Sequence, residues 1–212
     1  MGKNHVFMAV LASMLLLGCA PKLYVVDPSW TVKPSRVKVL FTEPGIGTPK
    51  DLADDLPSFV NNFSDWYRFQ LDRYLRANSY GVVYSVEKVP REFVSYEISD
   101  IDGSSFKTPK PKVLDGSADV YLVMDDLWIG RVKDMSCPGP MGPGMVGPSC
   151  YSETSLTGSG RYAYFDGKTG AKLGYGDIKA QSFFTFTVSQ DDWIEVVNKT
   201  VEIVLKDTPI AR

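Results

Sequence analysis

Histidine is almost absent from this chain, and the absence excludes a good deal of chemistry. The 212 residues hold one, His5, in an amino-terminal segment that reads as an export signal. A mature chain without imidazole has no His general base, no Ser-His-Asp triad and no His-ligated metal. An excess of one charge is missing as well. Lys and Arg number 23 and Asp and Glu 25, and loss of Lys3 with the signal leaves 22 cations against 25 anions. So balanced a chain has no electrostatic footprint for nucleic acid. Cysteine is scarce, at three residues: Cys19, Cys137 and Cys150. Long apolar runs are lacking too. Residues 6–17 are apolar but for Ser13, yet these 12 residues fall short of the ~20 that a membrane span requires.

What is present begins with an address. Lys3 followed by the run at 6–17 has the charge and length of a secretory signal. The run ends in Leu16-Leu17-Gly18-Cys19, which resembles the lipobox of bacterial lipoproteins. The resemblance implies cleavage after residue 18, with Cys19 becoming the lipid-bearing first residue. Several acyl chains anchor stably where one binds marginally. Ala20, in place of Asp, resembles the pattern of outer-membrane sorting, so the expected location is the outer membrane, facing the periplasm. Residues 19–36 contain three prolines and little periodicity and read as anchor and tether, reaching at most ~58 Å.

Residues 37–212 have the size of one domain. Residues 37–41 form a mostly apolar strand. Between 55 and 77 the residues Phe59, Phe63, Trp66, Tyr67, Leu71 and Tyr74 recur at helical spacing. A strand at 82–86 completes a parallel crossover unit. Residues 92–98 suit either a short helix or a strand, 100–104 a plain turn, and 107–112, with Thr and Pro among the lysines, an exposed loop. The strongest strand is 119–132. Val120, Leu122 and Met124 face one side and Tyr121 and Val123 the other, which predicts a central strand covered on both faces. Asp125-Asp126 breaks the run at a bulge or a sheet edge. Residues 156–165 and 171–188 form a hairpin across Asp166-Gly167-Lys168-Thr169-Gly170. Ile178, Ala180, Phe184, Phe186 and Val188 share its apolar face. Ser189 then caps a last helix with the stripe Trp193, Val197, Val201, Val204 and Leu205. The pattern is α/β.

Three stretches carry a further resemblance: 37–41, Ala118-Asp119-Val120-Tyr121-Leu122-Val123, and the hairpin 164–173. They are similar to the amino-terminal domain of TolB, the curli secretion lipoprotein CsgG and related envelope lipoproteins. That group often shows an Ala-Asp-hydrophobic strand and an Asp-x-x-Thr-Gly-Lys turn. Here Ala171 offsets Lys172 from the usual place. The resemblance implies a three-layer sandwich with a mixed β-sheet and a role in binding or assembly rather than catalysis. It also implies contacts with envelope proteins and, as in some relatives, homo-oligomers.

The most unusual segment is 135–151. Of the 12 residues between Cys137 and Cys150 eight are Gly or Pro, so the stretch builds neither helix nor ladder. In an oxidising periplasm the two cysteines are expected to form a disulfide, closing a loop and contributing about 3 kcal/mol. Met135, Met141 and Met145 are three of the four methionines outside the signal. Thioethers and thiolates suit Cu(I), but the disulfide would consume both thiolates and no histidine assists. The reading taken is an adaptable contact surface for a partner, with no metal. Phe183, on the polar face of its strand, is a second contact candidate.

Other motifs fail. Gly167-Lys168-Thr169 lacks the earlier glycine of a phosphate loop, Tyr162 standing in its place, and a strand follows it. Asp125 and Asp126 in extended chain point to opposite faces, and Asp191 and Asp192 suit a helix start. The sequence therefore assigns no catalytic residue and no cofactor. It predicts an accessory or scaffold lipoprotein of the envelope. The alternative is a module binding a cell-wall glycan or another small ligand.

Overall fold

The computed structural model describes residues 24–47, 62–101, 103–136, 151–184 and 187–211. The strands are β1 (Tyr24–Val26), β2 (Arg36–Phe41), β3 (Gly45–Ile46), β4 (Val83–Lys88), β5 (Val94–Ile101), β6 (Ser104–Pro111), β7 (Val120–Ser136), β8 (Tyr151–Asp166) and β9 (Lys172–Phe183). The helices are α1 (Phe63–Ala77) and α2 (Gln190–Leu205). One mixed sheet runs in the order β1-β9-β8-β7-β2-β4, with β3 also on β7, while β5 and β6 pair separately. β2 is parallel to β4 and to β7; β7, β8, β9 and β1 are successively antiparallel. The α/β expectation holds as a single domain with a mixed sheet and two helices.

The apolar periodicities decide which face each element covers. Phe63, Tyr67, Leu71 and Leu75 of α1 and Trp193, Val197, Val201 and Val204 of α2 are buried in one core with Val39, Leu122, Met124, Tyr164 and Ile178 of the sheet. Each such burial contributes roughly 1.5–3 kcal/mol. Ser189 caps α2 as expected: its hydroxyl accepts from the Asp192 N–H at 3.3 Å and the Asp192 carboxylate accepts from the Ser189 N–H at 2.7 Å. The opposite face carries a second cluster of Val94, Tyr121, Val123, Ala163 and Phe165, with Tyr96 packed against it. β7 is thus covered on both sides, as its sequence predicted.

Two segments differ from expectation, and a third, 92–98, takes some of each of its two alternatives. Residues 107–112 are not an exposed loop: most belong to β6, with Phe106, Thr108, Pro109 and Pro111 buried. Proline is excluded from central strands, but β6 is an edge. Pro109 and Pro111 lie two residues apart, so both missing N–H groups fall on the same outer edge, while the Lys112 N–H still donates to the Phe93 carbonyl at 2.9 Å. Of 92–98, a 3-10 turn takes Arg91–Phe93 and β5 the rest. Within the stretch read as a tether, Tyr24–Val26 pairs with β9, and Trp30 is buried 5.1 Å from the Tyr164 ring.

β7 carries a bulge. Asp125 faces Arg161 and Trp128 faces Ser159, so two β7 residues oppose Gly160 alone. A Cβ on Gly160 would come within 2.8 Å of the Leu127 side chain, which is why glycine stands there. Asp126 takes a positive φ of 52°. Past the bulge Leu127 and Ile129 join the helix-side core, and Trp128 emerges on the other face.

Candidate functional site

The parallel strands β2 and β4 end beside the bulge of β7. Crevices outside the carboxyl ends of parallel strands are the usual ligand positions in such sheets. Here Thr42, Glu43, Lys88, Arg91, Asp125 and Asp126 line a cleft of about 610 Å³. Its charges are engaged with one another. Lys88 Nζ donates to Glu43 Oε2 at 2.8 Å and Ser64 Oγ to Glu43 Oε1 at 2.5 Å; both hold the Glu43 carboxyl below its ordinary range. Asp125 is fully buried. Burial alone would raise its carboxyl, but hydrogen bonds from Thr42 Oγ1, at 2.6 Å, and from the Tyr96 hydroxyl outweigh it and bring the net shift below the usual value. Asp125 therefore stays ionised at neutral pH and acts as an acceptor that ties β5 to the bulge. Asp126 pairs with Arg91 on one side and, at 3.2 Å, with Arg161 on the other.

Asp126 also borders a second depression of about 340 Å³, over β8 and β9, lined by Thr157, Ser159, Arg161, Asp177 and Lys179. Arg161 Nε lies 3.9 Å from Asp177 Oδ1. Burial pushes the Asp177 carboxyl up, and the Arg161 charge offsets this only in part. Asp126 is shared by the two depressions, and Trp128, two residues on and partly exposed, lies over β7 and β3. Its indole fills the space that side chains at Gly47 and Gly130 would take: a Cβ on Gly130 would fall 2.3 Å from Cζ2, and one on Gly47 2.9 Å from the same atom.

This site was not legible as such. Extended chain would send Asp125 and Asp126 to opposite faces, but the bulge and the positive φ of Asp126 let both line one cleft. The signal available was the pair of acids interrupting an apolar run. Of the contact candidates, Phe183 ends β9 with 62% of its surface exposed, opposite Ser155. Met135 lies in β7 opposite Ser152. Cys19, Cys137, Met141, Met145 and Cys150 lie outside the described residues. Among the described residues, Phe183 lines neither depression.

No family model and no curated protein matches the chain. Solved structures similar to it include a putative neuraminyllactose-binding hemagglutinin homolog from Helicobacter pylori, at 16% identity and TM-score 0.36, covering 85% of this chain and 87% of that one. The PelC dodecamer from Paraburkholderia phytofirmans is similar at 12% identity and TM-score 0.39, covering 88% of this chain and 94% of its own. A variant of that PelC dodecamer has the same identity and score over 91% and 100%.

Proposed function

We propose that the chain is a lipid-anchored lipoprotein of the outer membrane, facing the periplasm, that serves envelope assembly or export through protein contacts, as an accessory or scaffold and not as an enzyme. The resemblance to the TolB and CsgG group belongs to this reading. So does the view of the helix pair, the sheet and the β5–β6 hairpin as three layers. The observation that carries it is an unequal strand length. β9 ends its pairing with β8 at Ser155 and Phe183, but β7 and β8 continue for four more pairs, from Lys133 with Thr154 to Ser136 with Tyr151. At ~3.4 Å per residue this arm outruns β9 by about 14 Å. It carries at its tip the Gly, Pro and Met-rich segment bounded by Cys137 and Cys150. A two-stranded arm adds little core of its own, and its chemistry suits a contact surface. The anchor would hold the domain close, since the five steps from Cys19 to Tyr24 reach at most ~18 Å. Homo-oligomers are part of the proposal.

The test is replacement of residues 138–149 by a short Gly-Ser turn, which keeps Cys137 and Cys150 apart in the chain so that their disulfide can still form. The variant should fold and lose its crosslinked partner in a pull-down from intact cells; an unchanged partner profile rejects the arm. The cleft favours a second reading, binding of a cell-wall glycan or another small ligand. Capture of the purified protein on peptidoglycan sacculi tests that separately.

A further inference from the structure

We infer that Trp128 is the stacking platform of a site for an uncharged oligosaccharide, whose hydroxyls are read by side chains of β8 and β9; the inference rests on the second reading above. Trp128 sits on the face that the β5–β6 hairpin covers farther along the sheet, but beyond the bulge. Glycines at 47 and 130 leave the space in which its indole lies, across β3 and β7. Unlike Trp193, which is fully buried, this indole is partly exposed, on the face away from the helices. A rigid aromatic surface held on a glycine floor loses little entropy on binding and presents an electron-rich face to the C–H side of a sugar ring.

The polar half of the site adjoins it. Ser159 lies directly opposite Trp128 on β8, and Lys179 directly opposite Ser159 on β9. Two strand spacings set Trp128 and Lys179 about 10 Å apart, the scale of two linked sugar rings. Ser159, Arg161, Asp177 and Lys179 offer hydroxyl, guanidinium, carboxylate and ammonium groups, an inventory able to both give and accept hydrogen bonds to sugar hydroxyls. The class of ligand follows from charge. Arg161 is shared between Asp126 and Asp177, and Asp126 also pairs with Arg91, so these charges already engage one another. A charged ligand would have to disrupt these pairs, whereas hydroxyls add to their outer lone pairs and N–H groups.

The experiment is calorimetric titration of the purified soluble domain with chitotetraose, cellotetraose and maltotetraose, with inorganic phosphate as the charged probe. Saturable binding of at least one tetrasaccharide is expected. Trp128→Ala should weaken it tenfold or more. Gly130→Ala, which displaces the indole without removing it, should do the same, and Trp128→Phe should retain affinity within about threefold. Phe69→Ser, on the exposed side of α1, should leave it unchanged. Circular dichroism identifies any variant that has failed to fold, and Trp128→Phe then carries the comparison through its predicted retention of binding. Binding that ignores Trp128→Ala in a folded protein, preference for phosphate, or no tetrasaccharide binding at millimolar concentration overturns the inference. If sacculi still capture the folded Trp128→Ala variant, the ligand reading survives and the Trp128 site alone fails. Absence of both sacculus capture and tetrasaccharide binding by the wild-type protein removes both.

Discussion

The hydroxyl of Tyr164, near the carboxyl end of β8, donates to the carbonyl of Val204 at 2.7 Å, and both groups are buried. Val204 lies in the last turn of α2, where carbonyls have no partner within the helix. One side chain of the sheet thus satisfies the end of a helix that packs across it. Burial drives the Tyr164 phenol well above its usual range, so it remains a donor at any working pH. Tyr164→Phe should leave an orphaned buried carbonyl and cost about 1–3 kcal/mol. Thermal unfolding should fall by roughly 2–4 °C for each kcal/mol lost; an unchanged midpoint would show that the bond contributes nothing.

The disulfide is a second prediction. The last described pair of the β7–β8 arm is Ser136 with Tyr151, and the next residue on each side is Cys137 and Cys150. In an oxidising periplasm two such cysteines are expected to pair. Intact protein from the periplasm should therefore weigh two hydrogens less than its reduced form. Two free thiols in native protein would reject the bridge.

Lipidation is tested at Cys19. Cells fed labelled palmitate should yield labelled protein in the membrane fraction, and Cys19→Ser should abolish both the label and the fractionation. Label retained by the serine variant would end the lipoprotein reading.

Acid should destabilise the fold, and the direction follows from the carboxylates. Asp115 is held well below its ordinary range by Lys38, then by Ser117 and Tyr121; Asp166 is held down by Thr169, and Asp125 by Thr42 and Tyr96 against burial. Their contribution is complete above the unfolded value of about 3.9 and is lost as pH falls through the lower folded values. Asp177 acts the other way, penalising the folded state as pH rises through its elevated range. Urea midpoints measured from pH 7 down to pH 2 should drop mainly below about pH 4. A midpoint constant to pH 2 would contradict these pairings.

The elements with strong periodicity were readable from sequence. Phe63, Tyr67 and Leu71 declare α1, Ser189 declares the start of α2, and the alternation from Val120 to Met124 declares a strand buried on both sides. What could not be read depends on the partner of a segment. Pro109 and Pro111 look like loop residues until β5 is known to supply only one edge. Tyr24–Val26 is too short to show a period and becomes a strand only because β9 offers its edge. The cleft escaped notice for the same reason: Thr42 and Arg91 come from two connections and Asp126 from the bulge of β7, and only the sheet order brings them together. Gly47 and Gly130 carry no such signal in sequence, and their role as a floor exists only once Trp128 lies across them.

The bulge at Asp125–Asp126 also governs how this chain can change over time. Up to Met124 the even-numbered residues face the helices, and after the bulge the odd-numbered ones do. The extra residue lets the numbering parity change while each face keeps its own residues. Were Asp126 lost, Asp125 would still face Arg161, Leu127 would fall opposite Gly160 and Trp128 would still face Ser159. Such a deletion would straighten the strand without exchanging its faces, and would take from the cleft the carboxylate that pairs with Arg91 and Arg161. Homologous chains that keep the length here should therefore be the ones that keep the cleft.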